Sequence, residues 1–202
     1  MLVLGLNTAF STMEVALVRD GEILCDRREA MARGQERRLP GLVAELCAEA
    51  GVKLAEFTRI GVVAGPGSFT GLRIGVAYAR GLALVTGARA IGITSLEAAI
   101  PAGLQGPALA CLQAQRRPPE QTWWVQAISE GEGIADVIEV ALTELLPMLT
   151  GFHAPVFMDG HEALGSLAAK LDLRPMKPSA ITAALKASLF DPATHPPAPV
   201  YA

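Results

Sequence analysis

Three glycines and two hydroxyls share one short run, Gly65-Pro66-Gly67-Ser68-Phe69-Thr70-Gly71, and these are the residues of the chain best suited to chemistry. A glycine-rich turn that opens a helix presents backbone N–H groups to an anion. A serine on a strand-to-helix turn is a familiar seat for a hydrolase nucleophile. Neither pattern is complete. A phosphate loop of the G-x-x-x-x-G-K-[ST] type needs a second glycine followed by a lysine; that position here is Thr70, and no lysine follows. The dinucleotide spacing G-x-G-x-x-G fails for the same reason, its last glycine standing one place late at Gly71. Around Ser68 the two glycines of G-x-S-x-G are replaced by Pro66 and Thr70, and His153, His161 and His195 all lie in the second half of the chain. The run therefore reads mainly as a tight turn built on Gly65 and Gly67, with Ser68 or Thr70 capping the helix that follows. An anion held by the first N–H groups stays as the lesser alternative. No two histidines stand at i, i+4 and no His/Asp/Glu group has ligand spacing, so no metal site is expected.

The elements around this turn are legible from their apolar spacing. Arg59 to Ala64 reads as a strand leading into the turn. In the helix that follows, Gly71, Gly75 and Ala79 recur every four residues as one smooth stripe. Leu72, Ile74, Val76, Leu82 and Leu84 occupy most other directions, broken by Arg73, Tyr78 and Arg80; Arg73 and Arg80 share a face. A helix this apolar is covered on more than one side. One side meets a sheet; the other meets a neighbouring helix, a second protein chain, or both, and a wholly intramolecular core helix remains open. Upstream, Leu39, Leu42, Val43, Leu46, Cys47 and Ala50 form a continuous stripe over a helix from about 35 to 50, with Gly51 as its C-cap and Pro40 in or near its first turn or bending it. Leu2 to Leu6, Met13 to Val18 and Glu22 to Arg28 read as strands, the last two joined by an Asp20-Gly21 turn. Ala90 to Ile93 is a further strand, and Thr94 with Glu97 fits a capping box opening another helix. The order βββαβαβα implies a mixed sheet with helices on it.

Proline and glycine cluster from Pro101 to Pro107, and a similar pattern then begins again. Strands are expected at Ala108 to Leu112, Thr122 to Ile128, Ile134 to Val140 and Pro155 to Met158. Helices are expected at Ala141 to Leu149, Glu162 to Leu171 and Ala180 to Leu189. Trp123 and Trp124 would face opposite sides of their strand. The boundary falls near residue 100, giving lobes 1–100 and 101–202, the second ending in a proline-rich tail.

At 202 residues and 51% hydrophobic the chain is globular, and a net charge of −3 gives no basic nucleic-acid surface. The pairs Arg27-Arg28, Arg37-Arg38 and Arg116-Arg117 are each read as solvated, though together they could edge an RNA or partner surface. Glu45 and Glu49 are expected on a hydrated helix face. Three separated cysteines fit a reducing compartment. With no signal-peptide pattern and no membrane span, the expected location is cytoplasmic.

The segment RIGVVAGPGSFTGLRIGVAYARGLALVTGARAIGITSLEA closely resembles the signature of the TsaB (YeaZ) family, bacterial proteins needed to make threonylcarbamoyladenosine in transfer RNA, beside the anticodon. The opening hairpin, MARGQERRLP and the closing APVYA agree with it; the second half matches weakly. The resemblance implies an α/β fold of two ribonuclease-H-like lobes, βββαβαβ each, as in actin, sugar kinases and Hsp70, here with the second lobe reduced. It implies a non-catalytic relative of TsaD, the threonylcarbamoyl-transferring subunit, which it binds through the first two helices; an ATPase called TsaE joins them. On that basis Leu39, Leu42, Val43, Leu46, Gly71, Leu72, Gly75, Val76, Ala79 and Arg80 are the expected partner-binding residues, and Gly75→Arg or Val76→Asp is expected to abolish binding with the fold intact. No cofactor is expected on this chain alone, ATP or ADP only in the assembled complex, tRNA contact only through the complex, and a homodimer in isolation. The alternative is an ATP-binding kinase-like or metal-dependent enzyme of the same fold. Three departures stand out: Asn7-Thr8-Ala9 replaces the family's Asp-Thr-Ser, Gln113-Ala114-Gln115 its Asp-Ala-Arg, and Tyr201-Ala202 lacks its usual Leu-Arg.

Overall fold

The computed structural model describes residues 1–31, 33–115 and 120–201, which form two compact units, Met1–Ala98 with Pro178–Tyr201, and Ala99–Lys177. The first unit opens with β1 (Leu2–Asn7), β2 (Thr12–Arg19) and β3 (Glu22–Ala30), an antiparallel meander. The turn between β2 and β3 has Asp20 and Gly21 both at positive φ, 52° and 87°, as a two-residue hairpin turn of matching twist requires. The chain then alternates α1 (Gln35–Ala50), β4 (Phe57–Gly65), α2 (Phe69–Thr86) and β5 (Arg89–Thr94). Both crossovers are parallel, so the five strands lie in the order β3-β2-β1-β4-β5.

All six residues of β1 are buried, because helices cover both faces of the sheet. On one face Leu2, Leu4 and Leu6 pack with Leu39, Leu42, Val43 and Leu46 of α1 and Val76 and Ala79 of α2. On the other, Val3, Val63, Ile91 and Ile93 meet α4 (Ala180–Ala187) through Ala183, Ala184 and Ala187. α4 lies close against the strands. A Cβ built on Gly5 would fall on the Ala180 carbonyl oxygen, and one on Gly61 on that of Ala183. A boundary near residue 100 assigns all of 101–202 to the second lobe. Residues 178–201 instead return to the first sheet, a non-local packing to which strand glycines and helix alanines are the matching surfaces.

The second unit is a sheet of β6 (Pro107–Gln115), β7 (Thr122–Ser129), β8 (Glu132–Gly133), β9 (Ile138–Ala141), β10 (Val156–Met158) and β11 (Leu173–Pro175), with α3 (Leu142–Leu149) between β9 and β10. Leu109, Cys111, Trp123, Val125, Leu145 and Leu149 make its core. Trp123 is fully buried and its indole N–H donates to the Asp159 carbonyl at 2.9 Å, while Trp124 turns to the opposite face. Complete burial pushes the Cys111 thiol up to about 12.

Several expected elements take other forms. Thr94 and Glu97 make both reciprocal capping bonds, at 2.8 and 3.0 Å, yet open only a short 3-10 turn, Glu97–Ala99. The expected helix at 162–171 is a 3-10 segment, His161–Lys170, broken at Gly165, whose φ is 54°. Of the expected strand over 134–140 only the end is strand, in β9 (Ile138–Ala141), while β8 (Glu132–Gly133) lies just before it. Pro40 lies inside α1. Arg116-Arg117-Pro118-Pro119 falls outside the described residues. Among the described residues no helix is long and apolar enough to cross a membrane.

Candidate functional site

The turn after β4 is held by its own chain. Ser68 N–H donates to the Ala9 carbonyl at 2.7 Å, Ser95 N–H to the Gly65 carbonyl at 2.7 Å, and Ser95 Oγ–H to the Pro66 carbonyl at 2.6 Å. The Gly65-Pro66 peptide is cis, and a Cβ on Gly67 would lie 2.7 Å from the Ala9 carbonyl oxygen. Ser68 caps α2, its Oγ accepting from Gly71 N–H at 3.3 Å, and Thr70 sits exposed in the first turn. The hydroxyl that the motif offered as a nucleophile therefore serves as a helix cap.

The small-residue stripe of α2 faces inward. A methyl on Gly71 would fall on the Thr8 carbonyl oxygen and one on Gly75 on Thr8 Oγ1, and Thr8 Oγ–H donates to the Gly71 carbonyl at 2.7 Å. The backbone that approaches this stripe belongs to the loop after β1. Hence Gly71, Leu72, Gly75, Val76 and Ala79 are buried inside the chain, as are Leu39, Leu42, Val43 and Leu46 of α1; of the ten residues expected to touch a partner, Arg80 alone is exposed. Apolar periodicity selects the face that satisfies the core first, and a partner meets what is left. Gly75→Arg and Val76→Asp would consequently probe folding instead of docking.

What is left is itself apolar. The outward face of α2 carries Phe69, Arg73, Ala77, Arg80, Gly81, Leu84 and Val85. Phe69 is 54% exposed, Leu84 87% and Val85 86%, unusual values for side chains of this size on one helix. Between this face and α1 lies a groove of about 550 Å³, floored by Leu39 and Ile74 and bounded by Glu36, Phe69, Arg73 and Tyr78. Burial raises the Tyr78 phenol. The spacing of Arg73 and Arg80 already marked this face, because charged side chains on an otherwise apolar helix point to water.

The surrounding charges are largely spent on one another. Arg27 pairs with Glu49 at 2.6 Å, Arg28 with Glu14 at 3.1 Å, and Arg38 with Glu29 and Glu45, each at 2.6 Å. Hydrogen bonds from Arg38 hold the Glu29 and Glu45 carboxyls below their usual range. Glu45 and Glu49 are thus ion-paired as well as hydrated. Asn7 uses its amide on the chain itself: Oδ1 accepts from Ala9 N–H at 3.1 Å, and Nδ2 donates to the Pro178 carbonyl at 3.2 Å and toward Glu14 at 3.5 Å. Among the described residues no group of three His, Cys, Asp or Glu is placed to hold a metal.

A family model described as TsaD, tRNA N6-adenosine threonylcarbamoyltransferase, matches residues 28–150. The tRNA threonylcarbamoyladenosine biosynthesis protein TsaB of Escherichia coli (strain K12) is 34% identical over 96 residues, 48% of this chain and 41% of that protein, so the match spans well under two thirds of the relative. YeaZ from Pseudomonas aeruginosa superposes with a TM-score of 0.69 at 22% identity, covering 100% of this chain and 99% of that one. The ROK hexokinase of Thermus thermophilus superposes at 0.56 and 14% identity, over 94% of this chain and 98% of that one. The two structural likenesses speak to the fold, which is that of the actin, sugar-kinase and Hsp70 group, with a reduced second unit.

Proposed function

Because the chain belongs to the TsaD-type tRNA N6-adenosine threonylcarbamoyltransferase family, on its TsaB (YeaZ) branch, we propose that it serves threonylcarbamoyladenosine formation on tRNA as a non-catalytic subunit. Its outward α1–α2 face docks on a TsaD-like catalytic paralogue, which supplies the substrate sites and the chemistry. The observation that carries this reading is the exposed row Phe69, Ala77, Leu84 and Val85 beside an open apolar groove. Leaving that much apolar side chain in water costs free energy that a covering partner recovers, at about 25 cal/mol for each Å² buried. Docking acts by differential binding: the partner conformer that fits this face better becomes the populated one.

The same reading extends to the rest of the assembly. A TsaE-like ATPase joins the pair in the cytoplasm, ATP or ADP binds only in the assembled complex, and tRNA reaches this chain through the complex. Alone, two copies cover each other's exposed helices as a homodimer. The non-catalytic role is supported by Asn7, whose amide is already bonded within the chain, and by Ser68, which caps a helix.

The test is calorimetric titration of the chain with the TsaD-like protein from the same source. Ala77 is exposed, so Ala77→Arg leaves the core alone and places a long cation in the docking face. The variant is expected to lose binding with an unchanged circular dichroism spectrum. Undiminished affinity in Ala77→Arg would show that this face is the wrong one.

A further inference from the structure

After α4 the chain does not simply trail off. Residues 191–201 run back across the ends of β5 and β4: Gly92 N–H donates to the His195 carbonyl at 3.0 Å, and Val200 N–H to the Ala64 carbonyl at 2.8 Å. The sheet has made room for this backbone. A Cβ on Gly92 would lie 2.6 Å from the Pro196 carbonyl oxygen, and one on Gly65 would fall on that of Val200. Pro192, Pro196, Pro197 and Pro199 fix four φ angles of the segment and so reduce the freedom it loses on being seated.

The segment delivers Tyr201 to the start of α2. The Tyr201 ring centroid is 5.4 Å from that of Phe69, and the Tyr201 hydroxyl accepts from Arg73 Nε at 3.3 Å. The Arg73 guanidinium stacks over Phe69 at 3.8 Å. Tyr201 and Phe69 are nonetheless 56% and 54% exposed, so the cluster is formed and left open. Phe69 and Arg73 are also walls of the groove.

We propose that residues 191–201 are a strap that places Tyr201 beside Phe69 and Arg73 as the anchor point of the docking face. Its occupant is a helix of the TsaD-like paralogue carrying an apolar face and a carboxylate opposite Arg73. This inference rests on the docking reading given above. Two features of the site favour that occupant. Tyrosine and arginine beside an apolar pocket are among the residue types that dominate binding energy at interfaces. α2 also carries Arg73 and Arg80, both exposed, and no carboxylate, so this helix face is complementary in charge to an acidic side chain on the occupant. A second copy docked helix to helix offers Arg73 no carboxylate from its own α2, so self-association is the weaker of the two pairings and yields to the paralogue.

The experiment measures affinity for the TsaD-like protein with the full chain and three variants, Tyr201→Ala, Tyr201→Phe and Ala77→Arg. Tyr201→Ala is expected to weaken binding about 30-fold, the size of an interface anchor. Tyr201→Phe keeps the ring and is expected to stay within about 3-fold, because it gives up one exposed hydrogen bond. Hydrogen exchange at the Val200 amide reads whether the strap stays seated, and in Tyr201→Ala it is expected to remain slow. Unchanged affinity in Tyr201→Ala, with Ala77→Arg abolishing binding, would overturn the strap and leave the docking face standing. Wild-type affinity in all three variants would overturn the docking face itself, and the strap with it.

Discussion

Gly71→Ala and Gly81→Ala make the same chemical change in the same helix and are expected to move stability in opposite directions. Alanine is favoured over glycine inside a helix by about 0.8–1 kcal/mol. At Gly81 nothing lies within 4 Å of the added methyl, so most of that preference is realised, and Tm should rise by about 2–4 °C for a chain of this size. At Gly71 the methyl falls on the Thr8 carbonyl oxygen, and the Thr8 hydroxyl bond to the Gly71 carbonyl must shift with it. Forcing a methyl into a filled site costs about 1–3 kcal/mol, and a disturbed hydrogen bond adds about 1 kcal/mol. The clash is with backbone, which cannot swing aside, so the net loss should be about 2–3 kcal/mol and Tm should fall by roughly 5–10 °C. Thermal melts followed at 222 nm would measure both. A Gly71→Ala protein as stable as wild type would refute the inward placement of the stripe, and with it the assignment of the opposite face to docking.

Other consequences are checked as simply. Gly61→Ala presses a methyl onto the Ala183 carbonyl oxygen; it should loosen α4 and lower the urea-derived stability by about 2–3 kcal/mol. The Glu29 and Glu45 carboxyls are held below the usual 4.5 by Arg38. Their contribution is complete above that value and lost as pH falls through the lowered one, so acid titration should erode stability below about pH 4.5 less in Arg38→Gln than in wild type. Burial raises all three thiols, Cys25, Cys47 and Cys111. At pH 8 the native chain should react slowly with a disulfide reagent and the denatured chain should react at all three sites.

Much of the first unit is legible in the sequence because its signals are local. The meander follows from two apolar runs and an Asp-Gly turn that sends the chain back as a third strand, and α1 from an unbroken apolar stripe ending at Gly51. The orientation of α2 is not legible in the same way. Its sequence is apolar on most sides, so periodicity offers little contrast, and Gly71, Gly75 and Ala79 suit close approach by any backbone, that of Thr8 included. The one directional cue, arginine at 73 and 80, identifies the outward face, and Phe69, Ala77, Gly81 and Val85 follow from it once the helix is drawn. The return of α4 is a contact between residues more than a hundred apart, carried by Gly5, Gly61 and the helix alanines. Small residues leave no hydrophobic pattern to read, and that contact surfaces only in three dimensions. The second unit is read in outline, with its short strands and its 3-10 segment below the length at which periodicity is decisive.

The most direct test of the account is size-exclusion chromatography with light scattering on a mixture of this chain and the TsaD-like protein from the same source, with and without ATP. The account predicts a one-to-one complex in place of self-associated chain, lost on Ala77→Arg. Separate elution of the two proteins under both conditions would contradict it.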